Sequence, residues 1–137
     1  MGFGIGCPEL ISDLVSIKYS TNPYNVNRVS AAMGIGALTD KKYFDENCRK
    51  IAEAREYASK ELKELGFELT DSVANFLFAK SDKIDGEELY LKLKDRGVLV
   101  RHFTSPRISS YNRITVGSMD EMQILVCKIK EILEEKQ

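Results

Sequence analysis

Three arginines lie close together near the C-terminal end of the chain, in the segment VLVRHFTSPRISSYNRITVG, residues 98–117. A guanidinium group is costly to desolvate without a partner, and its rigid fork of donors fits a carboxylate or a phosphate. Strand alternation places Arg101 and Phe103 on one side of the first strand-like run. Arg113 stands at the start of the second run, directly after a loop. Arg101 and Arg113 are therefore candidate anion ligands, and the alternative of surface arginines lying over the sheet stays open.

Further polar residues stand where strands or helices begin. Asn75 opens the apolar run NFLF, where it would need hydrogen-bond partners if buried, and a turn residue at a strand end is an equal alternative. Tyr24 and Asn25 lie in the turn-rich segment 19–25, before a helix that Asn25 could cap. His102, the single histidine, has no cysteine or carboxylate at catalytic or metal-like spacing, so we expect a structural or exposed role.

The sequence contains no nucleophile elbow, no Walker loop and no zinc-type spacing. The glycines of GFGIG, residues 2–6, do not match the dinucleotide-binding pattern. Cys7, Cys48 and Cys127 are far apart and odd in number, which is typical of reduced thiols in a cytoplasm. We therefore expect no metal site.

The bulk composition excludes several classes of protein. At 137 residues, with 43% hydrophobic and 30% charged residues, the chain is typical of an ordinary globular domain. Its formal net charge of −1 argues against nucleic-acid binding. No apolar run reaches the roughly 18 residues that a membrane span needs, and no signal peptide is recognisable. The composition predicts a cytoplasmic protein.

Periodicity predicts the element order strand, helix, helix, long helix, strand, strand, helix, strand, strand, helix. The longest helix is expected over 41–65, with a stripe that includes Phe44, Cys48 and Arg55, and it ends at Gly66. Capping-box patterns precede the last two helices, and the last one should turn six apolar residues inward: Met122, Leu125, Val126, Ile129, Ile132 and Leu133. For residues 41–137 this pattern predicts an α/β fold, more specifically an α+β small domain. It consists of a small sheet with helices on one face.

The beginning of the chain differs from this unit. Residues 2–6 predict a short buried strand, whose backbone groups need partners in a sheet that the rest of the chain does not supply. Pro8 suits the first turn of a following helix, and a second helix rich in small residues is expected over 26–38.

Five segments, in this order along nearly the whole chain, resemble the C-terminal part of the histidinol-phosphate aminotransferase family: GFGIGCPELISDL, NPYNVNRVSAAMGIGAL, GFELTDSVANFLFA, ELYLKLKDRGVLVRHF and RITVGSMDEM. The resemblance implies the fold type I architecture of pyridoxal-phosphate enzymes. There a large, mostly parallel domain holds the cofactor, and a small C-terminal domain with a mainly antiparallel sheet closes over the substrate. It also implies small-molecule substrates and a homodimer with active sites at the subunit interface.

The same resemblance implies a division of the chain. Residues 1–25 would be a remnant of the large cofactor domain, 26–40 a connecting helix and 41–137 the small domain. The lysine that binds pyridoxal phosphate, and the other cofactor-binding groups, would lie before residue 1. The chain is thus expected to be a fragment without catalytic or cofactor-binding residues, inactive by itself.

Residue roles follow from the motifs. Arg113 matches the arginine of RIT, which in this family grips the phosphate of histidinol phosphate and, in the other half-reaction, the carboxylate of glutamate. Arg101 matches the arginine after VLV and is expected to be a second phosphate contact. Arg107 matches more weakly and is expected to be a loop arginine. The remaining substrate-binding candidates are Asn75, Tyr24 and Asn25.

The implied reaction converts histidinol phosphate and 2-oxoglutarate to imidazole acetol phosphate and glutamate, a step of histidine biosynthesis. Two alternatives stay open. One is a threonine-phosphate decarboxylase, which shares the fold, the cofactor and the phosphate-binding arginines. The other is a free-standing, non-enzymatic α/β module that binds a small anion.

Overall fold

The computed structural model describes residues 2–136 and divides the chain into two compact units, Met1–Asp45 and Glu46–Gln137. Met1 and Gln137, the outer limits of the predicted domains, lie outside the described residues. The first unit contains helix α1, Pro8–Thr21, with Pro8 in its first turn as predicted, and helix α2, Arg28–Thr39. Helix α3, Lys41–Glu64, begins in the first unit and continues into the second.

Two predictions for the first unit are wrong. Residues 2–6 form no strand and are exposed, because a strand exists only where another strand pairs with it. Asn25 does not cap α2. The cap is Asn27, whose side-chain oxygen accepts a hydrogen bond from Ser30 N at 2.8 Å.

The second half of α3 provides one wall of the core. Ala54, Ala58 and Leu62 are buried there, whereas Phe44 and Cys48, which the predicted stripe included, are exposed. The apolar stripe is therefore shorter than the helix. Gly66 follows with φ +89°, a left-handed conformation that glycine adopts without steric cost.

The sheet has four antiparallel strands: β1 Phe67–Leu69, β2 Phe76–Ser81, β3 Arg101–His102 and β4 Asn112–Thr115. Their spatial order is β1-β2-β4-β3, so β3 pairs with β4 at one edge. The predicted strand over 98–103 is thus only two residues long, because the other residues of that run pair with no strand in the described chain.

Helices cover one face of the sheet, as predicted. Leu77 and Ile114 on that face are buried with residues of α3, of α4, Gly86–Asp95, and of α5, Met119–Glu134. All six residues predicted to point inward from the last helix are buried. The capping box of α5 is also confirmed, with Ser118 Oγ accepting from Glu121 N and Glu121 Oε2 accepting from Ser118 N. Within residues 2–136 no helix is both long enough and apolar enough to cross a membrane.

Candidate anion-binding site

The two candidate arginines face each other across the edge of the sheet. Arg101 of β3 and Arg113 of β4 are direct Cα partners in the antiparallel register. Arg113 is also the partner of Phe78 on β2. Because neighbours in register share a face, both arginines and Phe78 lie on the face opposite to the buried residues of the core. We call this surface the open face.

Aromatic rings hold the guanidinium groups on the open face. The Arg113 guanidinium carbon lies 5.6 Å from the ring centroid of Phe76, and that of Arg101 lies 5.2 Å from the centroid of Phe103. Both distances are within the range of cation–π attraction. Such contacts restrict a guanidinium without using its hydrogen-bond donors, which remain free for an anion.

The rings also pack against each other. Phe78 stacks on Tyr111 with centroids 4.5 Å apart and planes 7° apart, and it meets Phe103 edge to face at 6.0 Å. Lys80 Nζ lies 5.5 Å from the centroid of Tyr111. The open face is thus an aromatic layer that carries cations.

The charges on the open face are unbalanced. Lys80 pairs with Glu68 at 2.9 Å, and this hydrogen bond, together with the charge of Glu68, raises the pKa of Lys80. Within the described part of the chain, neither Arg101 nor Arg113 forms an ion pair with a carboxylate. Like charges directly opposite on neighbouring strands repel each other, so the pair lacks a counter-ion that an anionic ligand would supply.

The other candidates are divided between the two compact units. Asn75 is exposed and lies immediately before Phe76, and its backbone oxygen accepts a hydrogen bond from Val116 N at 2.8 Å. Its backbone therefore continues the pairing of β2 with β4. Tyr24 and Asn25 belong to the first unit and are exposed, Tyr24 by 91%.

Arg107 lies, exposed, in the turns between β3 and β4. His102 points to the face opposite Arg101, where its ring stacks on that of Tyr90 at 5.9 Å. Its Nδ1 atom is buried and has no hydrogen-bond partner among the described residues. The structure therefore brings together Arg101 and Arg113, and leaves Arg107 in a turn and His102 on the other face.

Sequence reasoning missed the aromatic layer. The signal was present, since Phe76 and Phe78 alternate along β2, and Phe103 alternates with Arg101. It missed Arg55 as well, the one charged member of the predicted apolar stripe of α3. Its Nη1 donates to the backbone oxygen of Ala74 at 3.0 Å.

The lysines around one cavity are not free to bind pyridoxal phosphate. A cavity of about 560 Å³ is lined by three lysines, but their ammonium groups are already bound. Lys83 donates to Leu65 O at 2.8 Å, and Lys130 and Lys136 bind carboxylates at 2.8 and 2.6 Å. A covalent bond to the cofactor aldehyde requires a free lysine amine. Residues 2–136 also place no group of three His, Cys, Asp or Glu side chains around a metal position.

The chain matches a family model described as aminotransferase class I and II over residues 1–129. The histidinol-phosphate aminotransferase of Brachyspira hyodysenteriae is 48% identical over 134 residues, which are 98% of this chain and 38% of the relative. The enzyme of the same name from Clostridium botulinum (strain Langeland) is 41% identical over 133 residues, 97% of this chain and 38% of the relative. The chain thus spans 38% of the length of these relatives.

Among solved structures, the histidinol-phosphate aminotransferase of Clostridium acetobutylicum superposes with a TM-score of 0.77 at 24% identity. The match covers 87% of this chain and 37% of that structure. At this identity the likeness establishes the fold, in agreement with the observed antiparallel sheet and its helices.

Proposed function

We propose, from the premise that this chain belongs to the class I and II aminotransferase family, that it is the substrate-anion-binding part of a pyridoxal-phosphate-dependent histidinol-phosphate aminotransferase. The observation that carries the proposal is the pairing of Arg101 with Arg113 across β3 and β4, where no carboxylate of residues 2–136 pairs with either. Such a pair favours a doubly charged group such as a phosphate monoester.

Arg113 would bind the phosphate of histidinol phosphate in one half-reaction and the carboxylate of glutamate in the other. Its planar fork donates two parallel hydrogen bonds to either group, so one residue can serve both substrates. Arg101 would contribute a second contact to the phosphate. Asn75, Tyr24 and Asn25 complete the proposed substrate-binding set, each offering polar side-chain groups that can form hydrogen bonds.

The cofactor supplies the electron sink for transfer of the amino group. The residues of this chain would contribute the orientation of the substrate and the neutralisation of its negative charge, and we assign no proton transfer to them. Cofactor-binding groups would come from the part of the relatives that this chain does not match. The complete enzyme would be a cytoplasmic homodimer that binds neither nucleic acid nor membranes.

Within this proposal, residues 1–25 belong to the large cofactor domain, 26–40 to a connecting helix and 41–137 to the small domain. The second compact unit, Glu46–Gln137, contains all the residues of the described hydrophobic core. This core supports the assignment of a separate small domain.

The test is the reaction of the intact gene product. Supplied with pyridoxal phosphate, histidinol phosphate and 2-oxoglutarate, it should release glutamate in amounts equal to the histidinol phosphate consumed. Absence of glutamate, with release of carbon dioxide from threonine phosphate instead, would replace the proposal by the decarboxylase alternative. Absence of both reactions, with phosphate still bound at the two arginines, would favour the non-enzymatic anion-binding module.

A further inference from the structure

Arg55 stands in α3 on the side that packs towards the sheet, where Ala54, Ala58 and Leu62 are buried. It is itself partly buried, and its Nη1 donates to Ala74 O at 3.0 Å. No ion pair links it to a carboxylate in the described part of the chain. A guanidinium at such a position loses part of its hydration. The hydrogen bond to Ala74 O offsets part of that loss.

The segment that Arg55 holds leads directly into the site. Ala74 N donates to Ser72 Oγ at 3.2 Å, and Ser72 Oγ donates to Phe76 O at 2.7 Å. These bonds form a compact turn, and Arg55 donates to the Ala74 carbonyl within it. The turn therefore fixes the point at which β2 begins, and with it the position of Phe76.

Phe76 is the ring that lies against Arg113, with 5.6 Å between its centroid and the guanidinium carbon. It is 38% exposed, so other residues enclose the ring only in part. Its position depends on the backbone at the start of β2. A shift of the turn at 72–75 would move the ring and release the arginine.

We propose that Arg55 is a positioning residue for Arg113, acting through Ala74 and the ring of Phe76. This inference rests on the proposed anion-binding role of Arg113 and adds a third arginine, which does not itself touch the ligand. Arg55 keeps the β2 start in register. Phe76 then holds the Arg113 guanidinium over the open face before any anion binds, which reduces the entropy lost on binding.

The experiment uses the 137-residue chain and has two separate readouts. The first is the NMR resonance of Arg113 Hε without added anion, which the ring current of Phe76 displaces. The Phe76→Leu variant is the reference: it shows where the Arg113 Hε resonance lies when no Phe76 ring current acts on it. Arg55→Met, which keeps an apolar stem in the stripe of α3, should move the resonance towards that position. Arg55→Lys, which retains a donor for Ala74 O, should restore it.

Arg49→Met is the matched control, because Arg49 lies on the same helix, is exposed and pairs with Glu53. It should leave the Arg113 resonance unchanged. A folded Arg55→Met chain with the resonance of the unaltered chain would overturn the inference. The same conclusion would follow if Arg49→Met moved the resonance as far as Arg55→Met did.

The second readout is titration with inorganic phosphate, followed at Arg101 and Arg113. Arg55→Met should weaken phosphate binding about three- to fivefold, which is about 0.7–1 kcal/mol at about 1.4 kcal/mol per tenfold change and matches an exposed cation–π contact. If phosphate perturbs neither arginine in the unaltered chain, the anion site itself fails, whatever the Hε resonance shows. If phosphate binds equally to the unaltered and the Arg55→Met chain, only the positioning role fails.

Discussion

Arg101 and Arg113 stand directly opposite each other on β3 and β4, with their side chains on the same face of the sheet. Two like charges in this relation destabilise an antiparallel pair, and an anion between them removes the repulsion. We therefore expect inorganic phosphate to stabilise the chain against thermal unfolding. At a phosphate concentration ten times the dissociation constant, the free energy of unfolding should rise by about 1.4 kcal/mol.

The measurement is the melting temperature in phosphate and in chloride at equal ionic strength. Arg113→Gln should abolish the difference between the two salts, whereas Arg107→Gln, in the turn between the strands, should preserve it. A stabilisation by phosphate that survives in Arg113→Gln would contradict an anion site at this pair.

Local sequence signals predicted the last helix and its capping box because both depend on neighbours within a few residues. Ser118 and Glu121 are three positions apart, and the six inward residues of α5 follow its own periodicity. The prediction of a strand at residues 2–6 was wrong because strand formation depends on residues far away in the sequence. A strand needs a pairing partner, and glycine-rich alternation does not supply one.

The same distinction applies to the site. Alternation placed Arg101 and Phe103 on one side of the chain, and the 5.2 Å contact between the Arg101 guanidinium and the Phe103 ring agrees with this. That Arg113 lies opposite Arg101 depends on the order β1-β2-β4-β3, a pairing between distant parts of the chain that periodicity does not reveal. The bond from Arg55 to Ala74 is likewise non-local, since nineteen positions separate the two residues.

We expect the stability of the chain to depend on pH through the ion pairs of Glu88. Its hydrogen bond with Lys136 at 2.6 Å, and then that with Lys92, lowers the pKa of Glu88 below the ordinary value of 4.5. A carboxyl whose pKa is lower in the folded state contributes stability above its unfolded pKa and loses it as the pH falls through the folded value. The stability advantage over Glu88→Gln should therefore be constant near neutral pH and decline below 4.5.

Urea unfolding over a series of pH values measures this difference. Glu87→Gln, on the exposed neighbour, is the control for removing one negative charge from the first turn of α4. A Glu88→Gln difference that stays constant into strong acid would show that its ion pairs contribute nothing. Because the pairs are partly exposed, high salt should also reduce the difference.

Deletion of residues 1–25 should leave the rest of the chain folded. All residues of the hydrophobic core lie between Ala54 and Leu133, so the deletion removes no core side chain. NMR resonances of Leu62 and Ile129 should stay dispersed and close to their original positions. Collapse of these resonances would mean that the proposed division of the chain is wrong.

The chain alone should form no covalent adduct with pyridoxal phosphate. The three lysines that line the cavity described above donate to backbone or carboxylate oxygens, so none of these three is a free amine. Reduction with borohydride followed by peptide mass mapping checks this. Stoichiometric labelling of one lysine would contradict the assignment of the cofactor to other residues, whereas sparse labelling of many exposed lysines would be the expected background.

Arg101→Lys should separate the two substrates in the intact enzyme. Lysine keeps a positive charge but lacks the bidentate fork, and Arg101 is proposed to contact only the phosphate. The half-reaction with histidinol phosphate should slow more than the half-reaction with glutamate. Equal losses for both substrates would place Arg101 at the carboxylate as well.

The most direct test of the shared anion site is Arg113→Lys, followed by single-turnover kinetics of each half-reaction in the intact enzyme. Loss of a charge-assisted hydrogen bond of about 1.5–3 kcal/mol corresponds to a rate loss of roughly ten- to hundredfold. We predict this loss with histidinol phosphate and with glutamate alike, and unchanged binding of the cofactor. An Arg113→Lys enzyme whose glutamate half-reaction keeps its full rate would contradict the account.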